Sequence, residues 1–307
     1  MRDIVRRMPG LQVDIHDVSK VGNITWSMLV QYDAVFLQRP YVTVKMMQFI
    51  KDLNIPIWID YDDNLFQIPE SNNRAFDTFM DQNVQDNLVE IAGLADVITV
   101  STSALKTMYD TGNDDVRVIP NAIPFDIIGD PVSKPLNRSI LWRGGDSHRL
   151  DLRIHEVAMY ELMEKYGDWQ FVYAGFNPYQ FTAKNKKYRK PEDPILYFKW
   201  IREYAPQAAW IPLHDSFFNR CKSNIAALEG TIAGAVCLVP DWEEWQMPGT
   251  LRYKTPDEFR EKAEIILNEK VNFKKYRSTA LDYIRSNYDL HKVNEKRIEL
   301  IKELVKW

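Results

Sequence analysis

The stretch Trp210–Trp245, WIPLHDSFFNRCKSNIAALEGTIAGAVCLVPDWEEW, decides the fold of this 307-residue chain. The apolar run Ala208–Leu213 that leads into it is typical of a buried parallel strand. From Asn219 onward apolar residues recur at spacings of three and four, which predicts a helix. Gly234 is a suitable C-terminal cap, and Ala235–Pro240 is the next apolar run. A strand, a helix and a strand within about 30 residues predict one right-handed crossover unit.

Two polar features of this unit suggest more than packing. Glu229 is followed directly by Gly230. Lys222 is predicted to lie in the first turns of the helix, where its positive charge opposes the helix dipole. A cation is favourable there if an anion binds at the helix N-terminus, and the alternative is an exposed lysine without a role.

The composition is that of a soluble globular protein, and a length of 307 residues allows two domains. Hydrophobic residues make up 45% of the chain and charged residues 27%, with a formal net charge of -4. This balance argues against a surface built for non-specific nucleic-acid binding, although a local basic patch is compatible with it. Two cysteines, Cys221 and Cys237, are too few for a disulfide framework and fit a reducing cytoplasm.

The first half of the chain alternates between predicted strands and helices, which indicates an α/β domain with a mostly parallel sheet over residues 1–128. The N-terminal residues read as the end of a helix, and Leu11–Ile15 as a strand. Phe76–Ala95 reads as one long helix. Further strands are predicted at 34–37, 55–59, 97–100 and 116–119, with helices at 26–32 and 44–52.

A second alternating series predicts another α/β domain over residues 138–288, after a linker at 129–137 that contains Pro131 and Pro135. Leu152–Tyr166 reads as one helix, and 176–194 as an irregular basic segment. Residues 289–307 read as an amphipathic C-terminal helix that packs back on the first domain.

Polar residues follow most of the predicted strands. Ligands of parallel sheets bind at the carboxyl ends of the strands, so these positions are candidate site residues. They are Asp60, Asp62, Asp63, Ser101, Asn121, Arg143, Gly144, Gly145, Gly175, His214 and Asp215.

Five segments of the chain together resemble a known family. They are Val97–Leu105 (VITVSTSAL), Val116–Ala122 (VRVIPNA), Ile140–His148 (ILWRGGDSH), Phe171–Gly175 (FVYAG) and Phe218–Val239 (FNRCKSNIAALEGTIAGAVCLV). In order and spacing they resemble GT-B fold glycosyltransferases, close to the family-4-like enzymes and especially the compact ones encoded by bacteriophages. The resemblance implies two Rossmann-like domains facing across a cleft. It also implies transfer of a sugar from a nucleotide donor on the second domain to an acceptor on the first.

The resemblance assigns roles to particular residues. Glu229 matches the glutamate that holds the donor ribose hydroxyls, and Arg143 and Lys222 match the cations that bind the diphosphate. Gly144 and Gly145 match the glycine turn where the backbone comes close to the donor. Fixed cations and a helix N-terminus stabilise the leaving diphosphate and can replace a metal, so no cofactor is expected beyond a nucleotide sugar, with UDP as the expected carrier.

The chain departs from the family pattern at three points. Cys221 stands where the first of two paired glutamates is expected, so contacts to the donor sugar must come from elsewhere. The acidic run Asp60–Asp63 replaces the usual histidine after an N-terminal strand. Because the chain begins at the expected end of the first helix, the N-terminal domain is expected to lack its first strand, and the alternatives are a truncated chain and a sheet without that edge strand.

The acidic residues Asp60, Asp62 and Asp63 are candidate catalytic groups. A carboxylate there can deprotonate an acceptor hydroxyl, and like charges so close together should raise the pKa of at least one of them. A divalent cation held by these oxygens and a solvated turn are the alternatives.

Three further residues are candidates for the donor side. His148 follows the glycine turn and is placed to contact phosphate, with a capping role as the alternative. Asp215 and Asn219 flank two phenylalanines at a strand end and suit the hydroxyls of the donor sugar.

The segment KNKKYRK at 184–190 has five basic residues in seven and no acid. Basic and aromatic side chains together can hold a nucleic-acid backbone and stack bases. Given the resemblance to phage enzymes, a hydroxymethylated pyrimidine in DNA, flipped out of the duplex, is a candidate acceptor, and an exposed lysine-rich loop is the alternative. The residues concerned are Lys184, Lys186, Lys187, Tyr188, Arg189 and Lys190.

Two other functions remain open at this stage. One is a non-catalytic, degenerate protein that retains nucleotide-sugar affinity, which Cys221 and the missing first strand would fit. The other is a UDP-sugar epimerase of the same architecture. With no signal peptide or apolar run long enough for a membrane span, the expected location is the cytoplasm, that of the host if the chain is phage-encoded.

Overall fold

The computed structural model describes residues 2–16, 25–39, 42–110, 112–129 and 137–306. These residues group into two compact units. The first comprises Met1–Pro69, Asn73–Asn121 and Leu290–Trp307, and the second comprises Glu70–Asn72 and Ala122–Asp289. Most of the predicted linker 129–137 lies outside the described residues, and the second unit begins at Ala122 rather than after it.

The described residues contain ten strands. They are β1 (Val35–Gln38), β2 (Ile57–Tyr61), β3 (Val97–Val100), β4 (Val116–Val118), β5 (Asn137–Gly144), β6 (Gln170–Gly175), β7 (Lys186–Arg189), β8 (Pro206–Trp210), β9 (Val236–Pro240) and β10 (Leu251–Tyr253).

The same residues form fifteen α-helices. They are α1 (Arg2–Arg7), α2 (Trp26–Leu29), α3 (Val44–Asp52), α4 (Asn73–Phe79), α5 (Gln82–Leu94), α6 (Ser103–Tyr109), α7 (Phe125–Ile128), α8 (Arg149–Ile154), α9 (Glu156–Lys165), α10 (Pro194–Tyr204), α11 (Phe217–Arg220), α12 (Ile225–Ile232), α13 (Pro256–Leu267), α14 (Phe273–Asn287) and α15 (Leu290–Leu304).

The first unit is built on a four-stranded parallel sheet in the order β1-β2-β3-β4. All four residues of β3 are buried, which is why that strand reads as a continuous apolar run in the sequence. Thr102 caps α6 by accepting a hydrogen bond from the amide of Leu105. Within this unit α15 packs against α1, where Ile4, Met8 and Ile298 form a small buried cluster.

The second unit is built on a six-stranded parallel sheet in the order β10-β9-β8-β5-β6-β7. Strands β8 and β9 are parallel neighbours joined through α12, so the predicted crossover unit is confirmed. Gly230 lets α12 approach this sheet closely. A Cβ there would lie 2.9 Å from both Ala209 Cβ and Cys237 Sγ, so packing does explain this glycine.

Three predicted helices are interrupted. The predicted helix 76–95 is α4 followed by α5, because Asp81 adopts an extended conformation and its side chain caps α5. The predicted helix 152–166 is α8 followed by α9, with His155 at the junction. Residues 221–224 separate α11 from α12, so Lys222 precedes the helix rather than lying in its first turns.

Two strand assignments differ from the sequence prediction. Leu11–Ile15 forms no strand, and Ile15 is 84% exposed. The alternation of apolar residues in this segment therefore does not correspond to a buried face. Within the segment predicted to be irregular, Lys186–Arg189 forms β7, which pairs with β6 at the edge of the second sheet. The pattern was missed because the residues of an edge strand are polar here rather than apolar.

Candidate functional site

The order of strands in the second sheet reverses between β5 and β8. From β5 the chain proceeds through β6 and β7 on one side, and then returns to β8, β9 and β10 on the other. The carboxyl ends of the neighbouring strands β5 and β8 lie at this reversal. In sheets of this kind the ligand binds at such a reversal.

Arg143 and Glu229 meet within the second unit. Arg143 lies near the end of β5 and Glu229 on α12, with Arg143 Nε 2.7 Å from Glu229 Oε2. Burial raises the pKa of the Glu229 carboxyl above its ordinary value, while the Arg143 guanidinium acts in the opposite direction. Separate roles were predicted for these two residues, and in the fold they form an ion pair.

Tyr197 on α10 is the third member of this cluster. Burial raises the pKa of its phenol, and the Glu229 carboxylate adds to that shift. The Tyr197 hydroxyl, Arg143 Nε and Glu229 Oε2 are all buried, and the Glu229 carboxylate interacts with both of the other groups. A buried ion pair with a neighbouring phenol at a strand-order reversal is a candidate ligand site, because titratable groups with shifted pKa values cluster at such sites.

A second polar cluster surrounds the buried carboxylate of Asp151 on α8. His148 Nδ1 lies 2.8 Å from Asp151 Oδ2, and His214 Nδ1 lies 2.6 Å from Oδ1. The Asn219 side-chain amide donates to Oδ1 at 2.7 Å. His148 and Asn219, two of the residues predicted to bind the donor, are thus brought together by the Asp151 carboxylate. Asp151 itself was not predicted as a site residue.

The glycines after β5 are not equivalent. A Cβ on Gly144 would lie 2.8 Å from the Trp142 ring and 3.0 Å from His148 Cδ2. Among the described residues, none would lie within 4 Å of a Cβ on Gly145. At the end of β6, Gly175 has φ +98°, and a Cβ there would lie 2.4 Å from the Gly144 carbonyl oxygen. The close approach of Gly175 fixes the Gly144 backbone, and Gly145 faces open space.

Asp215 and Lys222 lie on the loops of the same sheet but outside these two clusters. Asp215 accepts two hydrogen bonds from the Arg220 guanidinium, at 2.6 and 2.7 Å, in an exposed ion pair. The Lys222 ammonium lies 4.6 Å from the centre of the Phe218 ring. The structure therefore brings Arg143, Glu229, His148 and Asn219 into buried clusters, while Asp215 remains at the surface.

The acidic run of the first unit is held by internal partners. Arg39 donates two hydrogen bonds to Asp62, at 2.8 and 2.9 Å, and lies 3.5 Å from Asp63. Asp60 is different, because it lies largely buried at the end of β2. Thr99 on β3 donates to Asp60 Oδ1 at 2.5 Å and accepts from the Trp58 indole at 2.8 Å.

Asp60 is the titratable group of this network. Burial raises the pKa of its carboxyl, and the Thr99 hydrogen bond and the Arg297 guanidinium on α15 oppose that shift. The charge of Asp62 adds a smaller increase, so the rise expected from like charges is present but burial is the larger cause. A carboxylate with a raised pKa is better suited to accept a proton near neutral pH.

Some side chains of the basic segment 184–190 make contacts within the second unit. The Lys186 ammonium donates to the Pro178 carbonyl at 2.7 Å, and burial lowers its pKa. Arg189 forms two hydrogen bonds with Glu192 and stacks on Trp200. The Tyr188 hydroxyl donates to the Gly175 carbonyl, so Lys184, Lys187 and Lys190 remain as the exposed basic residues of the segment.

Four residues with evident roles in these clusters were missed from the sequence. Asp151 follows His148 by three positions, a helical spacing that would have placed both side chains on one face. Arg39, Tyr197 and Arg297 offered no comparable signal, because their partners are distant in the chain.

No metal cluster is found in the described ranges: no three His, Cys, Asp or Glu side chains come together as metal ligands would. The expectation that no metal is required stays a prediction. None of the described helices is both long and apolar enough to cross a membrane.

Comparison with solved structures identifies similar folds. Sucrose-phosphate synthase from Thermosynechococcus elongatus is 11% identical with a TM-score of 0.64, over 89% of this chain and 74% of that one. A UDP-forming α,α-trehalose-phosphate synthase from Burkholderia xenovorans is 14% identical with a TM-score of 0.62, over 91% and 75%. A glycosyltransferase from Rickettsia africae is 12% identical with a TM-score of 0.58, over 98% and 87%.

These likenesses show the fold, which is the Rossmann-like GT-B fold of glycosyltransferases with two parallel sheets. The predicted fold class is thereby confirmed. No family model and no curated protein sequence matches the chain.

Proposed function

We propose that this protein is a glycosyltransferase that moves a sugar from a UDP-sugar to an acceptor hydroxyl. The observation that carries the proposal is the buried cluster of Arg143, Glu229 and Tyr197 at the strand-order reversal, in which burial raises the pKa of the Glu229 carboxyl. The similar folds include a UDP-forming synthase, which supports UDP as the carrier.

On the donor side, Glu229 accepts hydrogen bonds from the ribose hydroxyls, and Arg143 turns part of its guanidinium to the diphosphate. Lys222 adds a second cation before α12, and the open face of Gly145 admits the phosphates close to the backbone. These groups stabilise the charge that develops on the departing diphosphate, which is where fixed positive charge accelerates such a reaction.

On the acceptor side, Asp60 is the proposed base. Its pKa is raised, so it can take a proton from the acceptor hydroxyl as the new bond forms. Arg39 pairs with Asp62 and lies 3.5 Å from Asp63, and the proposed role of these two carboxylates is to contact the acceptor rather than to accept its proton.

DNA is the acceptor class that we propose to test first. The proposal of a DNA acceptor rests on the three exposed lysines and Tyr188 of segment 184–190. Lys186 and Arg189 of the same segment have partners within the protein. A DNA acceptor predicts that turnover falls steeply with salt, because each neutralised phosphate releases a counterion. A flat salt response would contradict it.

The test of the proposed function is a thermal-shift titration with UDP. A ligand that binds only the native state raises the melting temperature, by the equivalent of about 2.7 kcal/mol at a ligand concentration about 100 times Kd. We expect UDP to stabilise the wild-type protein, and Glu229→Ala and Lys222→Ala each to abolish the shift. Glu261→Ala and Lys274→Ala, which alter exposed residues of α13 and α14, are the matched controls.

The outcomes separate the possible errors. A wild-type protein whose melting temperature does not respond to UDP would contradict the proposed function. A shift retained in both Glu229→Ala and Lys222→Ala would refute the site assignment alone. Conversion of a UDP-sugar to its epimer with no acceptor present would favour an epimerase, and UDP binding without any turnover would favour a non-catalytic binding protein.

A further inference from the structure

The carboxylate of Asp151 collects donors from two loops of the second sheet. Only 2% of the residue is exposed, yet it accepts from His148 Nδ1, His214 Nδ1 and the Asn219 amide. The backbone amide of His214 donates to the same Oδ1 atom at 3.0 Å. His148 follows β5 and His214 follows β8, so Asp151 ties together the two loops that flank the strand-order reversal.

These contacts fix the hydrogen positions on both rings. An ionised carboxylate only accepts hydrogen bonds, so each ring carries its hydrogen on Nδ1. Burial by itself would raise the pKa of Asp151, but the hydrogen bonds from His148 and His214 outweigh it and hold that pKa well below its usual range. Asp151 therefore remains ionised across the pH range in which histidines titrate.

The remaining nitrogen of each ring is available to a ligand. Within the described part of the chain, the Nε2 atoms of His148 and His214 have no protein partner and are not buried, with side chains 19% and 18% exposed. His155 is the contrast: it is also near Asp151, but its Nε2 is buried without a partner and burial lowers its pKa. Two of the three rings thus present Nε2 outward.

The charge of the cluster depends on protons. Among the described residues no Lys or Arg side chain pairs with Asp151. Protonation of one ring balances the buried carboxylate, and protonation of both gives the cluster a net positive charge. The other titratable groups that interact with it are His155, Tyr253 on β10 and Asp215. The exposed Asp146–Arg149 ion pair is adjacent to His148 in the chain.

We propose that Asp151 is a positioning residue of the donor site, which holds His148 and His214 so that their protonated Nε2–H groups donate to the donor diphosphate. This inference rests on the proposed function, because it needs a nucleotide sugar at the strand-order reversal. A neutral ring with its hydrogen on Nδ1 has only a lone pair at Nε2, so it cannot donate to a phosphate. The donor must therefore bind more tightly as the pH falls through the histidine range.

The experiment measures the affinity for UDP-glucose by calorimetry between about pH 5.5 and about pH 8.5, a range in which histidine is the side chain that most often changes its charge. The two phosphates of this probe are both esterified and keep their charge throughout. We expect the wild-type protein to bind about tenfold more tightly at the acidic end, since hydrogen bonds to charged groups are worth that much or more.

The variants localise the effect. His148→Gln and His214→Gln should each weaken binding at the acidic end by about fivefold to tenfold, and by less than about twofold at the basic end. Asp151→Asn should flatten the pH profile, because an amide cannot accept from both rings. Asp168→Asn, which alters an exposed partner of Arg138, should keep the wild-type profile.

Each result bears on one of the two ideas. A wild-type affinity that is independent of pH, or variants that keep the wild-type profile, would overturn the positioning role and leave donor binding intact. If the wild-type protein binds neither UDP nor UDP-glucose, the proposed function is overturned. If Asp151→Asn does not fold, the two glutamine variants decide the question.

Discussion

The two sheets of the molecule differ in strand order. Both are parallel, and both place polar residues at the carboxyl ends of their strands. The four described strands of the first sheet follow chain order, whereas the second sheet reverses between β5 and β8. In parallel sheets of this kind the ligand binds at the carboxyl ends of the strands where the order reverses.

The polar groups reflect this difference. In the first unit, Arg39 binds Asp62, and Thr99 and Arg297 support Asp60, so the acidic residues are compensated by the protein itself. In the second unit, Tyr197 and the Arg143–Glu229 pair form a buried cluster at the strand-order reversal. We therefore expect changes in the second unit to alter ligand binding, and changes at Asp60 to alter turnover.

The largest expected effect on stability is at Asp151. Asp151→Asn should lower the free energy of unfolding by about 3 kcal/mol at neutral pH, because several hydrogen bonds to a buried charge are lost or weakened. The pKa of Asp151 is lowered in the native state. The contribution of its ionised carboxylate to the free energy of unfolding is therefore present above pH 3.8, the ordinary pKa, and is lost as the pH falls from there through the native pKa. The free energies of unfolding of Asp151→Asn and the wild-type protein, measured with urea, should therefore become more similar as the pH is lowered.

Asp60 should show the opposite dependence on pH. Its pKa is raised in the native state, so its contribution to stability is full below its ordinary value of 3.8 and is lost as the pH rises through the native value. If Asp60→Asn and Asp151→Asn responded to acid in the same direction, the contrast between the two carboxylates would be wrong.

The next effect is on turnover. Asp60→Asn should reduce the release of UDP from a UDP-sugar in the presence of acceptor by about 100-fold, since a general base commonly contributes that much. Binding of UDP, measured by thermal shift, should not change. Asp110→Asn, in an exposed pair with Lys106, is the control. Unchanged turnover in Asp60→Asn would remove Asp60 as the base.

Thr99→Val tests the network of the first unit. The Thr99 hydroxyl joins Asp60 to the Trp58 indole, and its loss leaves both buried groups without that partner. We expect a loss of about 2 kcal/mol in the free energy of unfolding by urea. Thr107→Val, at an exposed position of α6, should change it by less than about 0.5 kcal/mol.

Gly145→Ala tests the glycine turn of the second unit. An added Cβ meets no atom of the described residues within 4 Å, so stability should stay within about 0.5 kcal/mol of wild type. Because the methyl group would stand where the diphosphate approaches, UDP binding should weaken by about tenfold, the effect of roughly one lost hydrogen bond to a charge. Gly144→Ala, by contrast, should lose stability, because its Cβ would collide with Trp142. UDP affinity unchanged in Gly145→Ala would place the donor elsewhere.

Much of the architecture could be predicted from local patterns. Buried strands such as Val97–Val100 and Val236–Pro240 are uninterrupted apolar runs, and α3 and α14 have the predicted bounds. The prediction was wrong where a side chain interrupts a helix, as Asp81 does, and where a strand is polar, as β7 is. The periodicity of apolar residues indicates which face of an element is buried, but it does not indicate where a side chain caps a helix or which strand lies at the edge of a sheet.

The sequence by itself determined the alternation of strands and helices, the two-domain class and the presence of Arg143, Gly145 and Glu229 near strand ends. Only the tertiary structure decided the pairing of Arg143 with Glu229 and the gathering of His148 and His214 on Asp151. The physical reason is distance along the chain. His214 is 63 residues from Asp151, and no local pattern specifies which of many polar side chains will meet once the sheet has formed.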